Sequence, residues 1–305
     1  MHTNPSTPHV PTPPADAPQR ALVLGGGGSA GNAWLIGVVA GLFDAGLDVT
    51  DADLVVGTSA GATAAAQITG ASPPDLLAAV LAAPPPHRTG PVGSGGGRGL
   101  LADHMARTGR IIAAAGDAAD MRRRMGAAAL EVDGADGSGW TRWRATVAAR
   151  LPGQHWPDRR LLVTAVDART GDPVVFDRSS GVDLVDAVAA SCAGGPAYGI
   201  GDRRYVDGGY RSVENADLAA GYGRVLVLSP LGGRSRHPRE WGTRLATQVE
   251  ALRAGGSRVE TVLPDSRSRE AFGEDVMDPS TRPPAARAGH DQGRALAGQL
   301  AEFWR

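Results

Sequence analysis

The sequence predicts an α/β fold around a mostly parallel sheet, and three observations carry that prediction. Ala21-Leu22-Val23-Leu24 is a short apolar run ending in four glycines, after which Trp34, Leu35, Val38, Val39 and Leu42 recur at helical spacing. The same grammar then returns: Leu54-Val55-Val56 runs into Gly57-Thr58-Ser59-Ala60-Gly61 and on into an Ala-rich stretch, 60–68. Two successive strand-loop-helix units imply crossovers between parallel strands. A third buried strand, Arg224 to Leu228, lies far along the chain.

The elements follow in order. Pro84 to Gly99 is dominated by Pro, Gly, Ser and Thr, so a mobile surface loop without regular structure is expected there. Helical patterns occupy Leu100 to Leu130, a polar Gly/Asp loop covers Asp133 to Gly139, and Trp140 to Leu151 is again helical. Residues 84–156 therefore read as a helical insertion. Leu161 to Val166 and Val174 to Phe176 are strand-like, and Gly171-Asp172-Pro173 favours a turn between them, which predicts a hairpin. Val182 to Ala190 is helical, and Arg204-Tyr205-Val206 is a short strand entering Asp207-Gly208-Gly209. Beyond Gly232 the pattern is helical and increasingly charged. The expected organisation is a tail over 1–20, a core over 21–230 carrying the insertion, and a helical C-terminal extension over 231–305 packed on the core. No 20–50-residue period repeats, which argues against a solenoid.

Composition narrows the function classes. Of the 305 residues 42% are hydrophobic, yet the longest apolar stretch, Trp34 to Leu42, is interrupted by Gly37 and Gly41 and falls short of the ~20 residues a membrane span needs. Residues 1–20 are rich in Pro, Thr and His and lack the basic start and apolar run of a secretory signal, so they read as a disordered tail. One cysteine, Cys192, allows no internal disulfide, and a cytoplasmic location is expected. A net charge of -1 supplies no field to gather nucleic acid, so no nucleic-acid partner is expected.

Three glycine-rich motifs could carry chemistry. Gly57-Thr58-Ser59-Ala60-Gly61 fits G-x-S-x-G, a sharp strand-to-helix turn that exposes a strained serine; Gly57 and Gly61 leave room for neighbouring backbone. Gly25 to Gly31 satisfies G-x-G-x-x-G through Gly26, Gly28 and Gly31, which leaves two readings open. It could cradle a dinucleotide pyrophosphate, although Asp51 and Asp53 precede the second strand where an acidic residue should close it. Alternatively, its backbone N–H groups could face the negative charge of a tetrahedral intermediate, with glycines letting substrate approach. Tyr205-Val206-Asp207-Gly208-Gly209 places a carboxylate at a strand end, and Gly208 and Gly209 leave its surroundings open. By itself that is a common turn; beside a serine it could be a base.

The ordered set of glycine-rich loop, G-x-S-x-G and Asp-Gly-Gly resembles the patatin-like phospholipase family over about Ala21 to Leu228. The resemblance implies a three-layer α/β/α fold with a mostly parallel sheet between helices, and hydrolysis of lipid acyl esters by a Ser-Asp dyad without a cofactor. It places Ser59 on the nucleophile, Asp207 on the base, and Gly26, Gly27 and Gly28, with Ser29 beside them, on the oxyanion loop. The small-residue stretch Ala189 to Pro196 is similar to the segment that precedes the family's aspartate. The family usually carries Arg or Lys before the last glycine of the first loop, where this chain has Ser29-Ala30. Arg203 and Arg204 are the candidates to replace it in space.

Other side chains fit less well. A Ser-His-Asp triad would draw on His87, His104, His155, His237 or His290, and none stands in a setting that suggests a base. No cluster of His, Cys, Asp and Glu has metal-ligand spacing, so no metal is expected, and Cys192 among small residues reads as a core thiol. Arg122-Arg123-Arg124 with Trp140, Trp143 and Trp156 could touch a membrane surface, against the blander reading of a solvated helix face and core tryptophans. The partners that follow are a lipid or other acyl ester and peripheral membrane contact. The competing functions are a nucleotide-binding α/β protein and a binding module with a weakened hydrolase site.

Overall fold

The computed structural model describes residues 19–83, 96–132 and 138–305. Its frame is one eight-stranded sheet. The strands are β1 (Arg20–Leu24), β2 (Leu54–Gly57), β3 (Arg160–Asp167), β4 (Pro173–Phe176), β5 (Tyr198–Ile200), β6 (Arg203–Asp207), β7 (Arg224–Leu228) and β8 (Arg258–Val262). They run in the order β5-β6-β3-β2-β1-β7-β8, with β4 paired to β3. β1, β2, β3, β7 and β8 are parallel, whereas β4 and β6 return antiparallel to β3. The predicted strands over 21–24, 54–56, 161–166, 174–176, 204–206 and 224–228 are all present, and β3 and β4 form the expected hairpin.

Alternation along the strands builds two cores. Leu22, Leu24 and Val55 point to one face and pack under α1 (Gly28–Asp44), α2 (Ala60–Ile68), α3 (Pro73–Ala82) and the late helices. Ala21, Val23, Leu54 and Val56 point to the other, against Leu218, Tyr222 and a later helix. The middle of the chain supplies α4 (Gly96–Ala114), α5 (Ala118–Glu131), α6 (Ser138–Ala148) and α7 (Leu184–Ser191). The C-terminal part adds α8 (Leu245–Ala254), whose Leu245, Val249 and Leu252 fill the second core, then α9 (Ser266–Phe272) and α10 (Arg282–Trp304). The result is helices on both faces of a mostly parallel sheet.

Two sequence expectations meet a different outcome, and one strand had no reading at all. The glycine-rich run was expected to hold no element through Gly99, yet α4 already begins at Gly96. Each glycine costs a helix about 1 kcal/mol, less than a long helix propagating backward can absorb. The segment beyond Gly232 is not wholly helical: β8 adds in parallel to β7, from Arg224 opposite Arg258 to Leu228 opposite Val262. Its Arg-Val-Glu-Thr-Val sequence alternates as a half-buried edge strand does, but the polar members resemble an exposed helix. β5, three residues long, gave no periodic signal. The tail over 1–18, most of the glycine-rich loop (84–95, with His87) and residues 133–137 lie outside the described residues.

Candidate active site

Sheet register brings the nucleophile and base candidates together. Gly57 ends β2 opposite Val163 of β3, while Asp207 ends β6 opposite Ala165 of the same strand. Two residues beyond Gly57, Ser59 therefore stands level with Asp207 across the end of β3. Its Oγ donates to Asp207 Oδ2 at 2.7 Å. Ser59 has φ 54° and ψ −118°, a positive φ that a non-glycine residue adopts only under constraint. The glycines around it answer steric demands. A Cβ on Gly61 would overlap the Leu24 carbonyl, one on Gly57 would come 2.6 Å from Ala62 Cα, and one on Gly208 would overlap Thr164.

The elbow is held from several sides. Ser59 N–H donates to Ser191 Oγ at 2.9 Å, and the Cys192 thiol donates to the Ser59 carbonyl at 3.1 Å, so the small-residue stretch buttresses the nucleophile turn. Burial pushes the Cys192 thiol up to about 12, in keeping with a core thiol. Thr58 Oγ1, Thr164 Oγ1 and Asn215 form a buried polar knot behind the turn. Asn215 Nδ2 lies 3.0 Å from Thr58 Oγ1 and 3.3 Å from the Gly208 carbonyl, contacting the residue before the serine and the residue after the aspartate.

Asp207 is enclosed. Burial raises its carboxyl from the ordinary range to about 6, against hydrogen bonds from Ser59 and from Gly209 N–H, 2.7 Å from Oδ1, which favour the charge. It is thus mostly ionised at neutral pH and more basic than a solvated aspartate. Among the described residues no histidine hydrogen-bonds to Ser59 or Asp207. His237 is buried, held by Thr243 Oγ1 at 2.9 Å, and burial drives it down to about 4. His290 pairs with Asp44 at 2.8 Å, and His155 is exposed.

The first glycine loop borders the serine, since a Cβ on Gly26 would lie 3.6 Å from Ser59 Cβ. Its N–H groups are unequal. Gly25 donates to Leu228 O and Gly26 to Val213 O, whereas those of Gly27, Gly28 and Ser29 have no partner among the described residues. Nor do the glycines simply open the loop to ligand. A Cβ on Gly27 or Gly31 would run into Pro230, and one on Gly28, at φ 65°, would come 2.8 Å from Met277 Sδ and 2.9 Å from Val276 O. Protein atoms thus fill the space on the Cβ side of Gly27, Gly28 and Gly31. Arg204 stacks over Trp140, 4.1 Å from the ring centroid, rather than replacing the loop's missing base. Among the described residues a cation that reaches the loop is Arg282, whose Nη1 donates to Ser29 O at 3.2 Å.

The candidates for a membrane face are tied into the fold. The indole N–H groups of Trp140, Trp143 and Trp156 donate to the carbonyls of Ala197, Ala189 and Val182. Arg122 donates to Gly171 O, and Arg123 and Arg124 pair with Asp120. Among the described residues no helix is long and apolar enough to cross a membrane.

Comparison with known proteins adds the following. No curated protein matches the chain. Among solved structures, VipD from Legionella pneumophila is 14% identical with a TM-score of 0.41, over 93% of this chain and 67% of that one. The type III effector protein ExoU is 17% identical with a TM-score of 0.38, over 94% of this chain and 54%, about half, of its own. The sequence matches the patatin-like phospholipase family over residues 22–220, a span holding the glycine loop, Ser59 and Asp207. The chain belongs to the patatin-like phospholipase family, whose members are lipid ester hydrolases.

Proposed function

We propose that the chain is a serine acyl hydrolase that cleaves carboxylic esters of lipids with Ser59 as nucleophile and Asp207 as its base. One observation carries the reading: a strained, positive-φ serine donates at 2.7 Å to a half-buried carboxylate lifted to about 6. Ser59 Oγ attacks the ester carbonyl as its proton passes to Asp207 Oδ2. The carbonyl oxygen becomes an oxyanion facing the free N–H groups of Gly27, Gly28 and Ser29 at the positive end of α1. Gly26, with its N–H engaged by Val213, lines the hole without donating. Collapse breaks the bond to the alcohol, which leaves with the proton from Asp207. Water then gives a proton to Asp207 as it attacks the acyl-enzyme, and on collapse Asp207 returns that proton to Ser59 Oγ as the acid leaves.

The nucleotide-binding reading leaves the Ser59–Asp207 contact unused. Labelling by a fluorophosphonate, which marks activated serines, separates the hydrolase from both alternatives. Wild type is expected to label and Ser59→Ala to lose labelling and esterase activity while staying folded. Wild-type turnover in purified Ser59→Ala would remove Ser59 from the mechanism, and an unlabelled wild type would favour the binding module.

A further inference from the structure

Ser59 and Asp207 share no strand: β2 leads to one, β6 carries the other, and β3 lies between them. A group that touches all three strands at that point would fix the separation of the pair. Asn215 is such a group. It is fully buried, sits at φ 53° in the left-handed region, and takes no part in the proposed proton transfers. Its Nδ2 lies 3.0 Å from Thr58 Oγ1 after β2, 3.3 Å from Thr164 Oγ1 of β3 and 3.3 Å from the Gly208 carbonyl after β6. The Ser212 carbonyl, on its own loop, is 2.7 Å away. Thr58 immediately precedes the serine and Gly208 immediately follows the aspartate, while Thr164 stands between the register partners of Gly57 and Asp207.

The amide cannot turn over. Arg211 Nη1 donates to Asn215 Oδ1 at 2.5 Å, so the oxygen faces the guanidinium and the N–H groups face the two turns. Arg211 is itself held as a fork by both carboxylate oxygens of Asp217. From α8, Gln248 Nε2 donates to Ser212 Oγ at 2.6 Å, and its Oε1 accepts from Ala216 N–H at 2.6 Å, which pins the loop on each side of Asn215. The carbonyls next to Asn215 reach the rest of the site. Val213 O accepts from Gly26 N–H at 2.9 Å, and Glu214 O accepts from Thr58 Oγ1 at 3.4 Å. A serine at positive φ keeps that conformation only where its surroundings over-determine it, and this amide restrains the serine turn from the side of the base.

We propose that Asn215, aimed by Arg211, is a positioning residue that sets the separation of the Ser59 and Asp207 turns. That role rests on the Ser59 reading. Asn215→Gly suits φ 53° and removes the amide while Gln248 still pins the loop. In the full chain, kcat on a soluble short-chain ester and the rate constant of fluorophosphonate labelling should each fall at least about tenfold, because a misplacement of about 1 Å can cost about 10²-fold. KM should stay within about twofold, since the amide touches no substrate. The acid limb of kcat/KM should also move above about 6, because the bond from Ser59 that holds the Asp207 carboxyl down is loosened. Cys192 after α7 and Tyr210 after β6, the titratable side chains that feel the Asp207 charge, are both raised by burial and stay neutral across this range.

Thr58→Val separates positioning from a general loss of stability, with each variant checked for folding by circular dichroism. It removes the hydroxyl that the amide meets, so combining it with Asn215→Gly should give an enzyme scarcely slower than the worse single variant. Losses that multiply in the double variant, a folded Asn215→Gly with wild-type kcat, or a rise in KM alone overturns the proposal. Should Asn215→Gly not fold, Arg211→Gln, at a half-buried side chain, carries the test. A lower kcat and a raised acid limb, partly restored in Arg211→Lys, are expected, and wild-type kcat in Arg211→Gln overturns the proposal. A wild type that fluorophosphonate does not label overturns the Ser59 reading and the role of Asn215 together. A labelled wild type whose labelling rate survives Asn215→Gly overturns the role of Asn215 alone.

Discussion

Asp207 gains its basicity from burial, and burial has two consequences of opposite sign. As the proposed base it must be ionised, so kcat/KM should rise with pH through a limb near 6. For stability, a folded-state pKa raised above the unfolded value means that the native state holds its proton more tightly. The contribution is complete below about 4 and is lost as pH rises through about 6, on the order of 3 kcal/mol. Asp207→Asn should therefore lose ~10²–10⁴-fold in kcat/KM while gaining stability at pH 7.5 in denaturant unfolding, with the gain fading below pH 4. Substituting each histidine by Gln should cost far less; one such variant as inactive as Ser59→Ala would replace the dyad by a triad. Ser59, Asp207 and their glycines are legible in the sequence because each glycine answers a steric demand from backbone close by. Ser191, Asn215 and Arg282 are not, since their roles arise from side chains meeting across 132 to 253 residues of chain.

The strand-loop-helix units around β1 and β2 are legible because apolar runs and glycines alternate over a few residues. β8 is hidden because an edge strand exposes one face, and its polar alternation mimics a surface helix. The contact between α1 and α10 is equally obscure in sequence, although it fixes how the C-terminal part seats on the site. Gly37 and Gly41 of α1 face α10, and Gly289 and Gly293 of α10 face α1. A Cβ on Gly41 would overlap the His290 carbonyl, and one on Gly293 the Val38 carbonyl. The helices meet backbone to backbone, and Arg282 at the start of α10 is held against Ser29 by that approach. Gly41→Val should cost about 3 kcal/mol or more, because the clash is with a carbonyl that cannot rotate away. Gly298, exposed on α10 with nothing near its missing Cβ, is the internal contrast. Gly298→Ala should stabilise by about 0.5–1 kcal/mol. Paired urea melts check both, and equal midpoints for the two variants would refute the close-packed seam.

Across the molecule, two carboxylates raised by burial lie close to the Ser59 turn. Besides Asp207, Glu214 is raised by burial to about 7, bonded to Ser229 Oγ at 2.7 Å and set against Gly25. Both lose native-state stability as they ionise, so unfolding free energy should decline between about pH 4 and 7 beyond what a chain of solvated acids would show. Glu214→Gln should flatten the upper part of that decline, as read from urea midpoints across the pH range. The layered sheet as a whole is legible in the sequence; what is not is how far the chain must travel to make the proposed dyad. Ser59 and Asp207 are 148 residues apart and become level only after β2 and β6 have both added to β3. Loop-closure entropy makes such long-range pairing slow compared with helix formation. In refolding from urea, helical circular dichroism should therefore return first. Fluorophosphonate labelling should lag behind it, so the newly made chain passes through a helical stage in which its serine is still unreactive.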